Sequence, residues 1–133
     1  MTGGNPVGLV EFLLARLGDK AAAVQPFVND LGVCRPWRTD EVGGAVRTTP
    51  VLSGDDGLIA TCGTHIDAVF IADNDPAYVL QDIAAKRRII ELHFVDAEGY
   101  CDTCVERHPC PTLRHLAAPF SSHPDWQPEW NTE

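Results

Sequence analysis

Three cysteines, Cys101, Cys104 and Cys110, fall within ten residues of one another. The Cys101-Asp102-Thr103-Cys104 spacing lets one tight turn aim two thiolates at a single point about 2.3 Å from each sulfur, as tetrahedral zinc requires. Cys110 follows between Pro109 and Pro111. That places its thiolate at the start of a short helix, where the positive end of the dipole favours an anion. For the fourth ligand the Cys3His preference of structural zinc favours a histidine. His93 stands at the end of a long helical pattern, one short loop from Cys101, and is the first choice. His115, on the helix after Cys110, is the second. His108 lies only two residues from Cys110, which strains the geometry, and Cys34 and Cys62 are more distant alternatives. The expected site is therefore one Zn2+ held by His93, Cys101, Cys104 and Cys110.

Cysteines are often small buried hydrophobes, and that reading suits Cys34 and Cys62. It suits the other three badly, because they lie in a polar, turn-rich stretch with little else to bury. A redox Cys-x2-Cys would follow a strand and open a helix, a context missing here. A catalytic zinc keeps an open coordination position and a nearby acid or base. With His93 as fourth ligand the set is closed. The chain has no Gly-x-Ser-x-Gly, phosphate-binding Gly-rich loop or His-Glu-x2-His, and Pro109-Cys110 lacks the second cysteine of the zinc-deaminase pattern. Glu98 and Glu106 lie near the metal in sequence but read as solvating carboxylates. The expectation is a structural metal, no catalytic residue and no enzyme.

The elements that must position these ligands follow from periodicity. Val7, Val10, Phe12, Leu13, Leu14 and Leu17 give an amphipathic helix over Pro6 to Gln25, capped by Asn5, with Gly18 as a weak point before Ala21-Ala22-Ala23. From Val33 the pattern changes to short β-prone pieces, among them Ala45 to Thr49, Val51-Leu52 and Leu58 to Ala60. Asp55-Asp56-Gly57 is a turn signal between two of them, so residues 33–63 predict a small antiparallel sheet. A short helix is expected over Thr64 to Ala72. Asp75 is a natural N-cap and Pro76 suits the first helical position. From there a long helix runs to Phe94, with Val79, Leu80, Ile83, Ala84, Ile90 and Phe94 as its buried stripe. Pro111 to Ala118 reads as another short helix. The tail from Pro119 is irregular chain, in which at least one of Trp126 and Trp130 packs on the body. The sum is a single zinc-stapled α+β domain over 1–133, with the sheet at 33–63 and the long helix plus zinc knuckle at 75–118.

Charge and composition narrow the partners. The net charge of −9 disfavours non-specific binding to a phosphate backbone. The basic residues Lys86-Arg87-Arg88, Arg107, Arg114 and His115 could still form a local positive face for nucleic acid, although a basic triplet late in a helix also answers the helix dipole. An odd number of cysteines, five, without a basic, apolar secretory start argues against a disulfide framework. No apolar run reaches the length of about 20 residues that crosses a bilayer. A cytoplasmic protein, with an unidentified protein partner and no membrane association, is the expectation by elimination. The acidic stretch Asp73 to Asp75 and the Trp126 and Trp130 tail are its candidate contacts.

Taken together, Asp75-Pro76-Ala77-Tyr78-Val79-Leu80, Ala85-Lys86-Arg87-Arg88-Ile89, His93, Cys101, Cys104 and Cys110-Pro111-Thr112-Leu113-Arg114 resemble a family of small actinobacterial and actinobacteriophage proteins. That family is known only as a domain of unknown function. The tail Ala118-Pro119-Phe120, His123-Pro124-Asp125 and Glu129-Trp130 is similar too, so the likeness covers about the second half of the chain. It implies a zinc site with His93 as ligand and an actinobacterial or phage origin, and no particular activity.

Overall fold

The computed structural model describes residues 8–28, 35–40, 49–55 and 57–132. The expected cap Asn5, Pro6, Cys34, most of Ala45 to Thr49, and Asp56 lie outside the described residues. Helix α1 spans Leu9–Val24, α2 His65–Asp73, α3 Pro76–Leu92 and α4 Pro111–Ala117. Strands β1 (Arg38–Thr39), β2 (Thr49–Leu52) and β3 (Leu58–Cys62) form an antiparallel sheet in the order β1-β2-β3. The class is α+β, as expected. The backbone divides into two compact units, Ala21–Asp82 on one side and the segments up to Lys20 and from Ile83 on the other.

In the first unit β2 carries the register. Arg38 pairs with Leu52 and Thr39 with Val51 on one side, and Val51 pairs with Ala60 on the other, with a bulge between Val51 and Leu52. The β2–β3 turn closes twice over: Ser53 N–H donates to the Gly57 carbonyl at 2.8 Å, and Gly57 N–H donates to Ser53 Oγ at 3.1 Å. Helix α2 lies across the sheet, its start capped by Thr64, whose Oγ1 accepts from Asp67 N–H at 3.1 Å. Val51, Cys62, Ala68 and Ala72 form the buried cluster, with Trp37, Ala60 and Ile71 packed against it. Cys62 is thus the small buried hydrophobe its surroundings suggested. Asp75 is buried and spends both carboxylate oxygens: Oδ1 caps α3 by accepting from Tyr78 N–H, and Oδ2 accepts from Trp37 N–H, each at 2.8 Å.

In the second unit Leu9, Phe12, Leu13 and Leu17 of α1 are buried, but Leu14 is exposed, so the apolar stripe is narrower than the sequence pattern. Gly18 neither ends nor breaks α1, and Ala21 to Ala23 continue it. The tail is fastened through Phe12. The ring of Trp130 lies 5.1 Å from that of Phe12, Trp126 5.7 Å and His123 5.6 Å. Arg16 sits over the Phe12 ring at 5.2 Å and meets His123 Nδ1 at 3.0 Å. Trp130 is buried, so the tail is part of the core of this unit.

Two expectations for α3 need correcting. The helix ends at Leu92, not at Phe94. The Thr103 hydroxyl donates to the Leu92 carbonyl and Asp102 N–H donates to the Phe94 carbonyl at 2.9 Å, so those acceptors turn toward the loop instead of continuing the helical ladder. Ile83 and Ile90 are buried as expected, but Ala84 and Phe94 are exposed, because Phe94 lies past the helix end and has left its face.

Candidate metal centre

The centre is assembled by three local devices. The first is the α3 terminus, which leaves His93 in the turn immediately after the last helical residue. The second is a tight reversal at Asp96. Its Oδ1 accepts from the N–H groups of Glu98 and Tyr100, both at 2.9 Å, while its own N–H donates to the Tyr100 carbonyl at 2.7 Å. Gly99 takes φ +89°, a left-handed conformation that favours glycine. This reversal pairs Val95 with Cys101. The third device is the knuckle itself. Cys101 N–H donates to the Glu106 carbonyl at 2.7 Å, Val105 N–H returns to the Cys101 carbonyl at 2.9 Å, and Cys104 N–H reaches Cys101 Sγ at 3.4 Å. Val105 closes the turn at φ +60°, a conformation rare for a β-branched residue. Cys110 then opens α4, and its carbonyl accepts from Arg114 N–H at 3.1 Å.

These devices converge on one point. The ligand atoms of His93, Cys101, Cys104 and Cys110 all lie within 4.8 Å of one another. His93 Nδ1 stands 3.4 Å from Cys101 Sγ, 3.2 Å from Cys104 Sγ and 3.6 Å from Cys110 Sγ. Cys101 and Cys110 are buried, His93 and Cys104 half-buried. The four cysteines described are free thiols. Such a donor set could hold a metal ion. Burial alone would push the Cys101 thiol up, but the N–H groups of Cys104 and Thr103, aided by His93, outweigh it and lower its pKa to about 7. Cys110 goes the other way. Burial raises its thiol, the Leu113 N–H offsets only part of this, and the neighbouring Cys101 and Cys104 add to the rise. Three thiols crowding one point cannot all ionise without a cation among them, which is the electrostatic demand a metal would meet.

Of the alternative ligands, His115, His108 and Cys62 are described. His115 is exposed on α4 and outside the cluster, and Cys62 lies in the sheet unit. His108 donates its N–H to the Gly99 carbonyl at 2.9 Å, and its ring is not among the four clustered donors. Cys34 is outside the described residues. Glu98 and Glu106 are exposed. Of the basic residues, Arg107 stacks at 5.9 Å from the Tyr100 ring centroid, and Arg114 donates through Nε to the Pro109 carbonyl at 3.0 Å. The roles of Thr103 in ending α3 and of Asp96 in building the reversal were not anticipated. An Asp followed three residues later by Gly after a helix was the available signal for the second.

The chain belongs to a family of unknown function, DUF6221, whose model matches residues 7–132. No curated protein and no solved structure matches it. Among the described residues no helix is long and apolar enough to cross a membrane.

Proposed function

We propose that this protein is a small zinc-stapled module whose metal is structural and whose surface beside the metal docks a partner protein. The observation that carries the metal reading is the set of three Nδ1···Sγ separations, 3.2 to 3.6 Å. With Zn–N near 2.0–2.1 Å and Zn–S near 2.3 Å, a regular tetrahedron has N···S edges of about 3.6 Å. Four protein donors of the Cys3His type fill a tetrahedral shell and leave no open position for substrate, which supports a structural role over a catalytic one. Bound there, zinc would neutralise the crowded thiolates and tie the end of α3, the knuckle and the start of α4 together.

The partner reading draws support from the surface around the centre. Leu92, Phe94, Val95, Tyr100 and Val105 are all exposed, five large apolar side chains within one short segment. Apolar side chains concentrated in this way mark interaction surfaces more often than isolated ones do. The net charge of −9 weighs against a nucleic-acid partner.

Elemental analysis and native mass spectrometry of the purified chain test the metal. One zinc per chain is expected, lost in His93→Ala and retained in His115→Ala; stoichiometric zinc in a folded His93→Ala variant would refute the assignment. For the partner, affinity capture is run with the native chain beside Phe94→Ser and Val105→Ser variants that keep their zinc. A protein captured by the first and lost by both variants is the expected result. Equal capture by all three would exclude this surface.

A further inference from the structure

A second site lies where α4 meets the tail. Pro111, Arg114 and His115 of that helix, with Asn131 and Thr132 of the tail, line a cavity of about 320 Å³. Of its lining residues Pro111, His115, Asn131 and Thr132 are exposed, and Arg114 alone is half-buried and a donor only. The Arg114 Nε is held by the Pro109 carbonyl at 3.0 Å, which orients the guanidinium and leaves its terminal nitrogens facing solvent. Arg16, Arg35 and Arg38 each meet a carboxylate, at 3.8 Å from Asp125, 3.1 Å from Asp55 and 3.6 Å from Asp40. Arg114, like Arg87, Arg88 and Arg107, meets no carboxylate among the described residues, and of these four it alone is half-buried. Asn131 is oriented as well. Trp126 Nε1–H donates to its Oδ1 at 2.9 Å, so the amide oxygen is engaged and the NH2 end is the one left to donate.

We infer that this cavity binds a phosphate group, as the free ion or as a small phosphomonoester. A guanidinium fork held at Nε presents its remaining N–H groups bidentately to an oxyanion. Donors come from two elements, Arg114 and His115 on α4, Asn131 and Thr132 on the tail. A tetrahedral anion has terminal oxygens for both, whereas a planar carboxylate has two oxygens on one edge. The volume exceeds that of phosphate alone and falls at the lower end of small-molecule pockets. An ester's organic group would lie against Pro111.

The test uses isotope-labelled full-length protein followed by NMR during titration with inorganic phosphate, phenyl phosphate and acetate. Saturable shifts at Arg114, His115, Asn131 and Thr132 are expected with the two phosphates and not with acetate. Tighter binding of phenyl phosphate assigns the ester; equal binding assigns the free ion. Arg114→Gln should abolish the shifts, but it also removes a contact beside Cys110 and could disturb the fold. Asn131→Asp avoids that difficulty. It keeps an acceptor for Trp126 and replaces the NH2 donors by a carboxylate, so binding should weaken by at least about tenfold with the fold unchanged. Absence of saturable shifts in the native chain, acetate binding as well as phosphate, or undiminished affinity in Asn131→Asp would each overturn the site. Tighter binding of a mixed-sequence oligonucleotide than of phenyl phosphate, lost in the same variant, would replace the small-molecule ligand by nucleic acid.

Discussion

The sheet of the first unit and the knuckle of the second are both small structures of short strands and tight turns, yet different forces hold them. In the sheet, Val51 is fully buried and packs with Cys62, Ala68 and Ala72 beneath α2. Its stability follows the ordinary apolar area removed from water. Between residues 92 and 110 only Cys101 and Cys110 are buried, while Leu92, Phe94, Val95, Tyr100 and Val105 face outward. That segment has almost no apolar interior, and its order rests on backbone hydrogen bonds and on four converging donors. A segment with so little apolar interior has to be held by hydrogen bonds and converging donors, which a bound metal ion would join.

Metal removal breaks this comparison most sharply. Structural zinc contributes on the order of 10 kcal/mol in small zinc domains. Chelation, or Cys110→Ala, should therefore collapse amide-exchange protection from His93 to Ala117 and leave β2, β3 and α2 protected. Loss of protection in both units together would mean that they do not differ in this way. The converse probe is Asp75→Ala. It removes the cap of α3 and leaves the Trp37 N–H without its partner, so a loss of about 1–3 kcal/mol in denaturant unfolding is expected, with zinc stoichiometry intact.

Acidity separates the two units more gently. In the metal-free chain the Cys101 thiol is held down to about 7 by the Cys104 and Thr103 N–H groups against the opposing effect of burial. Because this folded-state value lies below the ordinary cysteine range, the thiolate's contribution is complete above that range and is lost as pH falls through about 7. Cys110, raised chiefly by burial, has the opposite sign and favours the protonated thiol, with its contribution lost as pH climbs. On the proposed zinc site all three thiols must ionise to bind, so affinity should fall steadily on acidification, while the sheet's protection stays flat. Competition with a chromophoric chelator across pH measures the first and amide exchange the second.

The smallest expected effect is a gain. Val105 holds φ +60° and is 76 % exposed, so its side chain returns little packing for its backbone strain. Val105→Gly relieves about 1–2 kcal/mol of left-handed strain and gives back part of it as unfolded-state entropy. A net stabilisation of up to about 1 kcal/mol should appear in the metal-bound form. A destabilised glycine variant would show that the valine side chain is in contact after all.

Much of the architecture was legible because local chemistry dictates it. Asp75-Pro76 and Thr64 start helices through their own side chains and backbone, whatever surrounds them. Cys101 and Cys104 meet because two intervening residues allow only a tight turn. The end of α3 was hidden, because nothing between Leu92 and Phe94 breaks a helix; Thr103 and Asp102 do it from further along the chain by taking the Leu92 and Phe94 carbonyls. Phe94 consequently looked like a core residue and is exposed.

The class of structure, the starts of α2, α3 and α4 and the chemical type of the centre follow from the sequence, since capping, turn spacing and thiolate number act over a few residues; α1, expected from Pro6, instead begins at Leu9. The tertiary structure supplied the convergence itself, bringing His93, the first choice by spacing, to the three cysteines, and it seated the tail on Phe12. Spacing already favoured His93 over His115 without placing either imidazole. Only the path of the chain through the Asp96 reversal brings one imidazole to the thiols and leaves the other on the surface, because meeting at a point is a matter of direction as well as distance along the chain.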